Sequence, residues 1–360
     1  ATAAPPEGPA AAASEPTPYD PPPERVAAPS DVDGLVEQML AQGRFALLLR
    51  PQIIGSLTES QRQRAQECLM NSMAIVPAGE VALGQLDAAL DDGHLTNEEL
   101  LDPYVDVIQV DGFYLDRYPV TNRQFQQFVQ AGGYEQMAFW EPEVWPAVLD
   151  FVDRTGLPGP RVWHNGRYER GSDDHPVVGI CWYEAAAYAR WSGKRLATDA
   201  EWVKAGSWPV NLPNEGRMQR KYPWGNVMDR RMANLWGSGP GRTSPVTEFA
   251  GGVSVGGVYQ LIGNVWEWTF DDYEFATAER TGSEPWSSGR LKSLRGGAFD
   301  TYFDAQATCH FQSADMPLAR KHNVGFRCAL GLCDLTQENA ADPGDNHLVE
   351  SDSIATEEAA

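Results

Sequence analysis

LIGNVWEWTFDDY (Leu261–Tyr273) is the stretch on which the reading of this chain turns. It lies among long Gly-, Pro- and Trp-rich connections with little periodicity of either the helical or the strand kind. Upstream come short β-like pieces, AIVPAGEVALG (Ala74–Gly84) and VDVIQVDGFYLDRYPV (Val105–Val120). Two helical stretches follow, Asn122–Gln130 and Tyr183–Ser192. Few strands, two helices and many ordered loops fit a mixed α/β (α+β) class with high loop content, not a doubly wound sheet. No internal repeat of fixed period is visible.

Several local signals carry their own physics. Thr121 is placed to cap the helix that begins at Asn122. Ala185, Ala186 and Ala187 let the second helix pack closely, and Gly193 is its C′ residue. Thr198 and Glu201 have the spacing of a capping box for the next helix. Nearer the start, Val32, Leu35, Val36, Met39 and Leu40 recur at helical spacing up to Gly43. Thr58 with Gln61 opens another helix running through Cys68 and Leu69. Both helices are expected to pack on the domain that begins at Ala74.

Composition bounds the function. The chain has 360 residues, 42% hydrophobic with twelve tryptophans, enough for a sizeable core. Fifty acidic residues against 28 basic ones give a net charge of -22, a field that repels phosphate backbones and anionic lipid. Nucleic acid and membrane insertion are therefore excluded as expectations, and a protein partner is favoured; a small-molecule ligand is left unknown. Cys68, Cys181, Cys309, Cys328 and Cys333 form an odd, sparse set without a CxxC pair, which leans toward a reducing, cytoplasmic compartment. There is no apolar run of membrane-spanning length and no signal-peptide pattern, while a start at Ala1 also suits a mature exported form.

The Ala/Pro-rich residues 1–30 read as a disordered tail, 31–73 as a short helical segment, 74–333 as the main domain and 334–360 as an acidic tail. DDGHLTNEE (Asp91–Glu99) imitates a calcium loop, but Ala88 and Leu90 stand where carboxylates are needed; it reads as an acidic loop before a helix capped by Thr96.

Six blocks in order carry a family resemblance: FYLDRYPVTNRQFQQFV (113–129), HPVVGICWYEAAAYARWSGKRLATDAEWVKAG (175–206), YPWGN with ANLW (222–226, 233–236), LIGNVWEWTFDDY, LRGGAF (294–299) and NVGFRCAL (323–330). Together they resemble the formylglycine-generating-enzyme, or sulfatase-modifying-factor, family. The resemblance implies a variant of the C-type-lectin fold.

It also implies a chemistry to look for. Copper-dependent members oxidise a cysteine in a CxPxR segment, using two cysteines five residues apart shortly after the Gly-Gly pair; soft thiolates suit Cu(I). The corresponding stretch here, Phe299–Gln306, holds no cysteine, and Ala298 replaces the usual serine. Copper is therefore not expected, and the remaining catalytic candidates are Cys309, His310 and Asp304. Cys309-His310 with Cys328 or Cys333 is a further metal option, set against ordinary buried thiols. The iron-dependent relatives need a His-x3-His-x-Glu set, a spacing that His94, His164, His175, His310, His322 and His347 do not give. His175 is expected to bond backbone and His322 to sit at a rim.

Structural calcium is the other implied cofactor. One site would use Gln260, the carbonyls of Gly263 and Val265, and the Glu267 carboxylate, with Gln260 standing where Asp or Asn is usual. A second would begin at Asn234 and the Leu235 carbonyl, although GSGPGRTSPVTEF after it lacks the expected D-G-[FY] piece.

The leading expectation is a non-catalytic binding or scaffold module in a protein assembly. Its surface would include an exposed FWEPEVWP loop with Trp140 and Trp145, and a dry pocket lined by Phe299, Tyr302 and Phe303 would favour it. The alternatives are a diverged oxidoreductase acting on a protein cysteine, and a variable lectin-like receptor. The last ranks below because the chain continues past the closing G-F-R block.

Overall fold

The computed structural model describes residues 22–26, 29–84, 93–102, 105–213, 216–273 and 290–335. Most of the Ala/Pro-rich segment 1–30, and 336–360 of the acidic segment, lie outside them. The helices in chain order are α1 (Val32–Ala41), α2 (Phe45–Leu48), α3 (Pro51–Ile54), α4 (Glu59–Ser72), α5 (Asn122–Gln130), α6 (Trp182–Trp191) and α7 (Asp199–Ser207). The first strands are β1 (Met73–Val76), β2 (Gly79–Gly84), β3 (His94–Leu95), β4 (Val105–Val110), β5 (Phe113–Asp116) and β6 (Arg195–Leu196). They are followed by β7 (Val210–Leu212), β8 (Gly216–Met218), β9 (Trp266–Asp272), β10 (Lys292–Arg295), β11 (Gln312–Asp315), β12 (Val324–Phe326) and β13 (Cys328–Gly331).

Threonines set three of the helix starts. The hydroxyls of Thr58, Thr121 and Thr198 accept the N3 amide, and Gln61, Gln124 and Glu201 return a side-chain oxygen to each cap's own N–H. Such reciprocal pairs satisfy donors that a helix cannot satisfy internally. Thr96 and Glu99 repeat the device ahead of a single 3-10 turn, Glu99–Leu101.

The N-terminal helices pack on the sheets. Val36, Leu40, Phe45, Leu48 and Leu69 share a cluster with Met73 of β1 and Leu330 of β13. Polar ties hold its edge: Arg44 Nε donates to the Trp191 carbonyl, and Arg50 donates to the Gly193 carbonyl and pairs with Asp334.

One sheet has the order β1-β5-β13-β6, with Leu115 opposite both Ala74 and Ala329, and Cys328 opposite Leu196. A second has the order β11-β10-β9-β12, in which β12 runs parallel to β9. Two small sheets, β2-β4 and β3-β8-β7, complete the α+β architecture.

Two clusters of buried side chains lie beneath them. Phe125, Phe128, Trp163, Tyr188, Trp268 and Phe326 form one, and Val76, Phe113, Leu115, Trp202, Leu261 and Cys309 belong to the other. Trp140 corrects a sequence expectation, since it is 3% exposed. Its ring lies 5.4 Å from Tyr134 and 5.7 Å from Phe151, and its Nε1 donates to the Gly133 carbonyl. Only Trp145 of that loop keeps an exposed indole. Among the described residues, no helix is long and apolar enough to cross a membrane.

Candidate functional site

The loop before β9 is a polar knot held by unusual backbone. Gln260, Gly263 and Asn264 all have positive φ, at 51°, 81° and 65°. For the two non-glycines this left-handed geometry has to be stabilised by surrounding contacts. Asn264 supplies them: its Oδ1 accepts from Asn234 Nδ2 and the Ser244 amide, and its Nδ2 donates to the Ser244 carbonyl and to Gln260 Oε1. Gln260 Nε2 then donates to the carbonyls of Pro245 and Glu248, at 3.0 and 2.9 Å.

Glu267 is equally committed. Its Oε2 accepts from Arg327 Nε at 2.7 Å and from Trp202 Nε1 at 2.8 Å, while Oε1 accepts from Arg327 Nη2 at 2.7 Å. The Gly263 carbonyl accepts from the Val265 amide.

Calcium takes six to eight oxygens, and the side-chain acceptors of the first set are already turned to protein donors. In the second set the Leu235 carbonyl accepts from Ser238 and Gly239. Of this second set, Asn234 Oδ1, pressed against Gly239, is the one buried acceptor without a donor among the described residues. One orphan oxygen does not make a calcium site, so neither donor set fits the ion.

The segment after β10 turns on Gly296 and Gly297, with φ of 95° and 77°. A Cβ on Gly296 would stand 2.4 Å from the Leu261 carbonyl, so glycine is required for the two loops to meet. Beyond them the Ala298 amide donates to Thr301 Oγ1, and Asn323 Nδ2 donates to the Asp300 carboxylate. His322 stands exposed at the rim, edge-on to Phe299 and 3.8 Å from Asp300.

The three catalytic candidates are not brought together. Asp304 is on the surface, paired with Arg230, whose guanidinium also donates to the carbonyls of Trp236 and Tyr302. Cys309 and His310 are buried. Cys309 Sγ lies against Gly206, and burial pushes its thiol well above the ordinary thiol range. His310 Nε2 lies 3.1 Å from the Arg220 carbonyl and Nδ1 3.4 Å from Gln219 Nε2. The neutral tautomer with hydrogen on Nε2 satisfies both, leaving no ring nitrogen for a metal. Burial lowers its pKa to about 4. The donor set around Gly297 therefore does not fit copper, and among the described residues no group of three or more His, Cys, Asp or Glu side chains is placed to hold a metal.

His175 Nδ1 lies 3.0 Å from the Thr243 hydroxyl, and the Thr243 backbone also bonds the ring. One further expectation is corrected. Phe299 is buried, but Tyr302 and Phe303 are 62% and 63% exposed and meet edge to face at 5.1 Å beside an exposed Trp236. They form an aromatic ridge instead of a pocket lining, because Arg230 pins the backbone beneath them.

The sequence reading missed Lys204 and Arg217, both buried cations. Lys204 sits in a helix with every residue buried, which no local pattern announces as a site.

The architecture and this loop pair define a loop-rich α+β domain built around a Gly-Asn-Val-Trp-Glu-Trp strand and a Gly-Gly turn. The chain belongs to the sulfatase-modifying-factor family: residues 58–332 match the Sulfatase-modifying factor enzyme 1-like domain. It is 32% identical over 272 residues to hercynine oxygenase of Mycolicibacterium smegmatis, covering 71% of this chain and 60% of that protein. It is 31% identical over 293 residues to serine/threonine-protein kinase Pkn1 of Chlamydia trachomatis, covering 79% and 42%. Formylglycine-generating enzyme of Mus musculus is 29% identical over 294 residues, covering 72% and 75%. The chain thus spans less than two thirds of the length of the first two relatives.

Proposed function

We propose that this domain is a non-catalytic binding or scaffold module that contributes to a protein assembly. The observation that carries the reading is the segment Phe299–Gln306. Where the oxidising members of the family place two thiolates, it has none and instead raises Tyr302 and Phe303 into solvent beside Trp236. Large aromatics on an anchored backbone suit a protein interface, since they bury much area at little entropic cost. The net charge of -22 points to a protein partner with a basic or neutral face, not to nucleic acid.

One relative is named an oxygenase and another a formylglycine-generating enzyme, so the competing reading is a diverged oxidoreductase acting on a protein cysteine. It is tested by incubating the full chain with a CxPxR-bearing peptide, oxygen and either copper or ferrous iron, followed by mass spectrometry. The module reading expects the peptide thiol to survive. Aldehyde formation above a chain-free control would overturn it. A photoreactive residue in place of Phe303 should further cross-link a discrete protein, and cross-links arising only from control positions remote from the ridge would count against it.

A further inference from the structure

A cavity of about 160 Å³ lies away from the Gly-Gly loop, between the β1–β2 turn and the end of α7. Val76, Pro77, Gly79, Trp208, Pro209 and Asn211 contribute to its walls, together with Glu80 and Lys204. Lys204 is only 5% exposed, and its ammonium lies over Gly79, where a Cβ would stand 3.0 Å away. Its charged neighbours are Arg217 and Glu80, and no hydrogen bond or ion pair ties the ammonium to another described residue.

The charge balance is uneven. Arg217 is 3% exposed, donates Nε to Asn211 Oδ1 and pairs with Glu80, leaving Nη1 buried without an acceptor. One carboxylate thus serves two buried cations, and the guanidinium holds it. With no acceptor in contact, the ammonium is disfavoured by burial and by Arg217, which lower its pKa, and the shared Glu80 carboxylate offsets this only in part. Trp208 closes the helix in the left-handed region, at φ 46°, so its indole is held against the cavity at some backbone cost. Such strain is found where a site is being shaped.

We propose that this cavity binds a short-chain carboxylate, one oxygen of which takes the Lys204 ammonium. The missing negative charge selects an anion. The walls of Val76, Pro77, Pro209 and Trp208 favour one with a short apolar stem over chloride or phosphate, and the volume limits the stem to a few carbons. The chain as a whole carries a net charge of -22, so affinity has to come from this local pair of cations.

The test is equilibrium dialysis of radiolabelled propionate against the full chain near neutral pH, at constant ionic strength. Saturable binding of one propionate per chain is expected, displaced by acetate and not by equivalent chloride. Lys204→Met keeps the apolar stem and removes the charge, and should weaken binding by about tenfold or more, the effect of losing one charged hydrogen bond. Absence of saturable binding to the wild-type chain overturns the proposal without reference to any variant. Undiminished binding by folded Lys204→Met protein, or by Lys204→Gln if the first variant does not fold, overturns it as well.

Discussion

Arg327 and Glu267 form a two-point ion pair, Nε to Oε2 and Nη2 to Oε1, each at 2.7 Å, with both side chains 1% exposed. The pair joins β9 to the β12–β13 segment. Arg327 also donates to the carbonyls of Asp116 and Tyr259, and Glu267 accepts from Trp202 of α7. Five parts of the chain are therefore held by one charge pair, which makes its loss costly. Removing one partner strands the other charge in the interior. Arg327→Met or Glu267→Gln should each cost about 3–5 kcal/mol in denaturant unfolding. A Glu267→Leu/Arg327→Met double variant should lose much less than the sum of the single losses, because no charge is left unpaired.

Calcium should not contribute to stability. Gln260 Nε2 bridges the Pro245 and Glu248 carbonyls, a job that needs no cation. The thermal unfolding midpoint should be the same in chelator and in millimolar calcium. Gln260→Met, which orphans the Glu248 carbonyl and removes an acceptor of Asn264 Nδ2, should cost about 1–3 kcal/mol in either condition. A calcium-dependent rise in the midpoint of the wild-type chain would contradict this.

The helix caps show how much of the fold is legible locally. Thr58 with Gln61, Thr121 with Gln124 and Thr198 with Glu201 lie within one turn of each other, so the sequence displays both halves of each bond. The helix Asn122–Gln130 matches its sequence bounds, and α6 starts one residue earlier, at Trp182. Glu267 and Arg327 are 60 positions apart, and no pattern in either neighbourhood announces the other. Trp140 misleads for the same reason: its polar neighbours Glu141 and Glu143 suggest surface, while distant Tyr134 and Phe151 bury it. The catalytic candidates were legible as residue types, but their opposite exposures were not.

Stability should fall as the pH drops through the histidine range. His310 is neutral in the native protein with a pKa of about 4, lowered chiefly by burial. In the unfolded chain it titrates near 6.5. Between those values the unfolded state binds a proton that the native state refuses, so the contribution is intact above pH 6.5 and is lost on acidification toward pH 4. The loss attributable to His310 at pH 4.5 should be on the order of 2–3 kcal/mol. The pH profile of His310→Gln, measured by denaturant unfolding, should lack that component.

Thiol reactivity should follow burial. Cys333 is exposed, Cys68 half-buried, and Cys181, Cys309 and Cys328 are buried. A chromogenic disulfide reagent should label Cys333 fastest in the native chain, and the three buried thiols only as the protein unfolds. Rapid native labelling of Cys309 would show a more open site than the geometry allows.

The central claim is that the segment after Gly297 no longer supports the family's copper chemistry, and it is tested most directly by an anaerobic Cu(I) titration against a competing chelator. The full chain and a Cys309→Ser variant are compared. The account predicts that neither outcompetes the chelator any better than an unrelated protein with a buried thiol. Tight one-to-one binding that disappears with Cys309→Ser would contradict it and make an oxidase with a rebuilt site the better description.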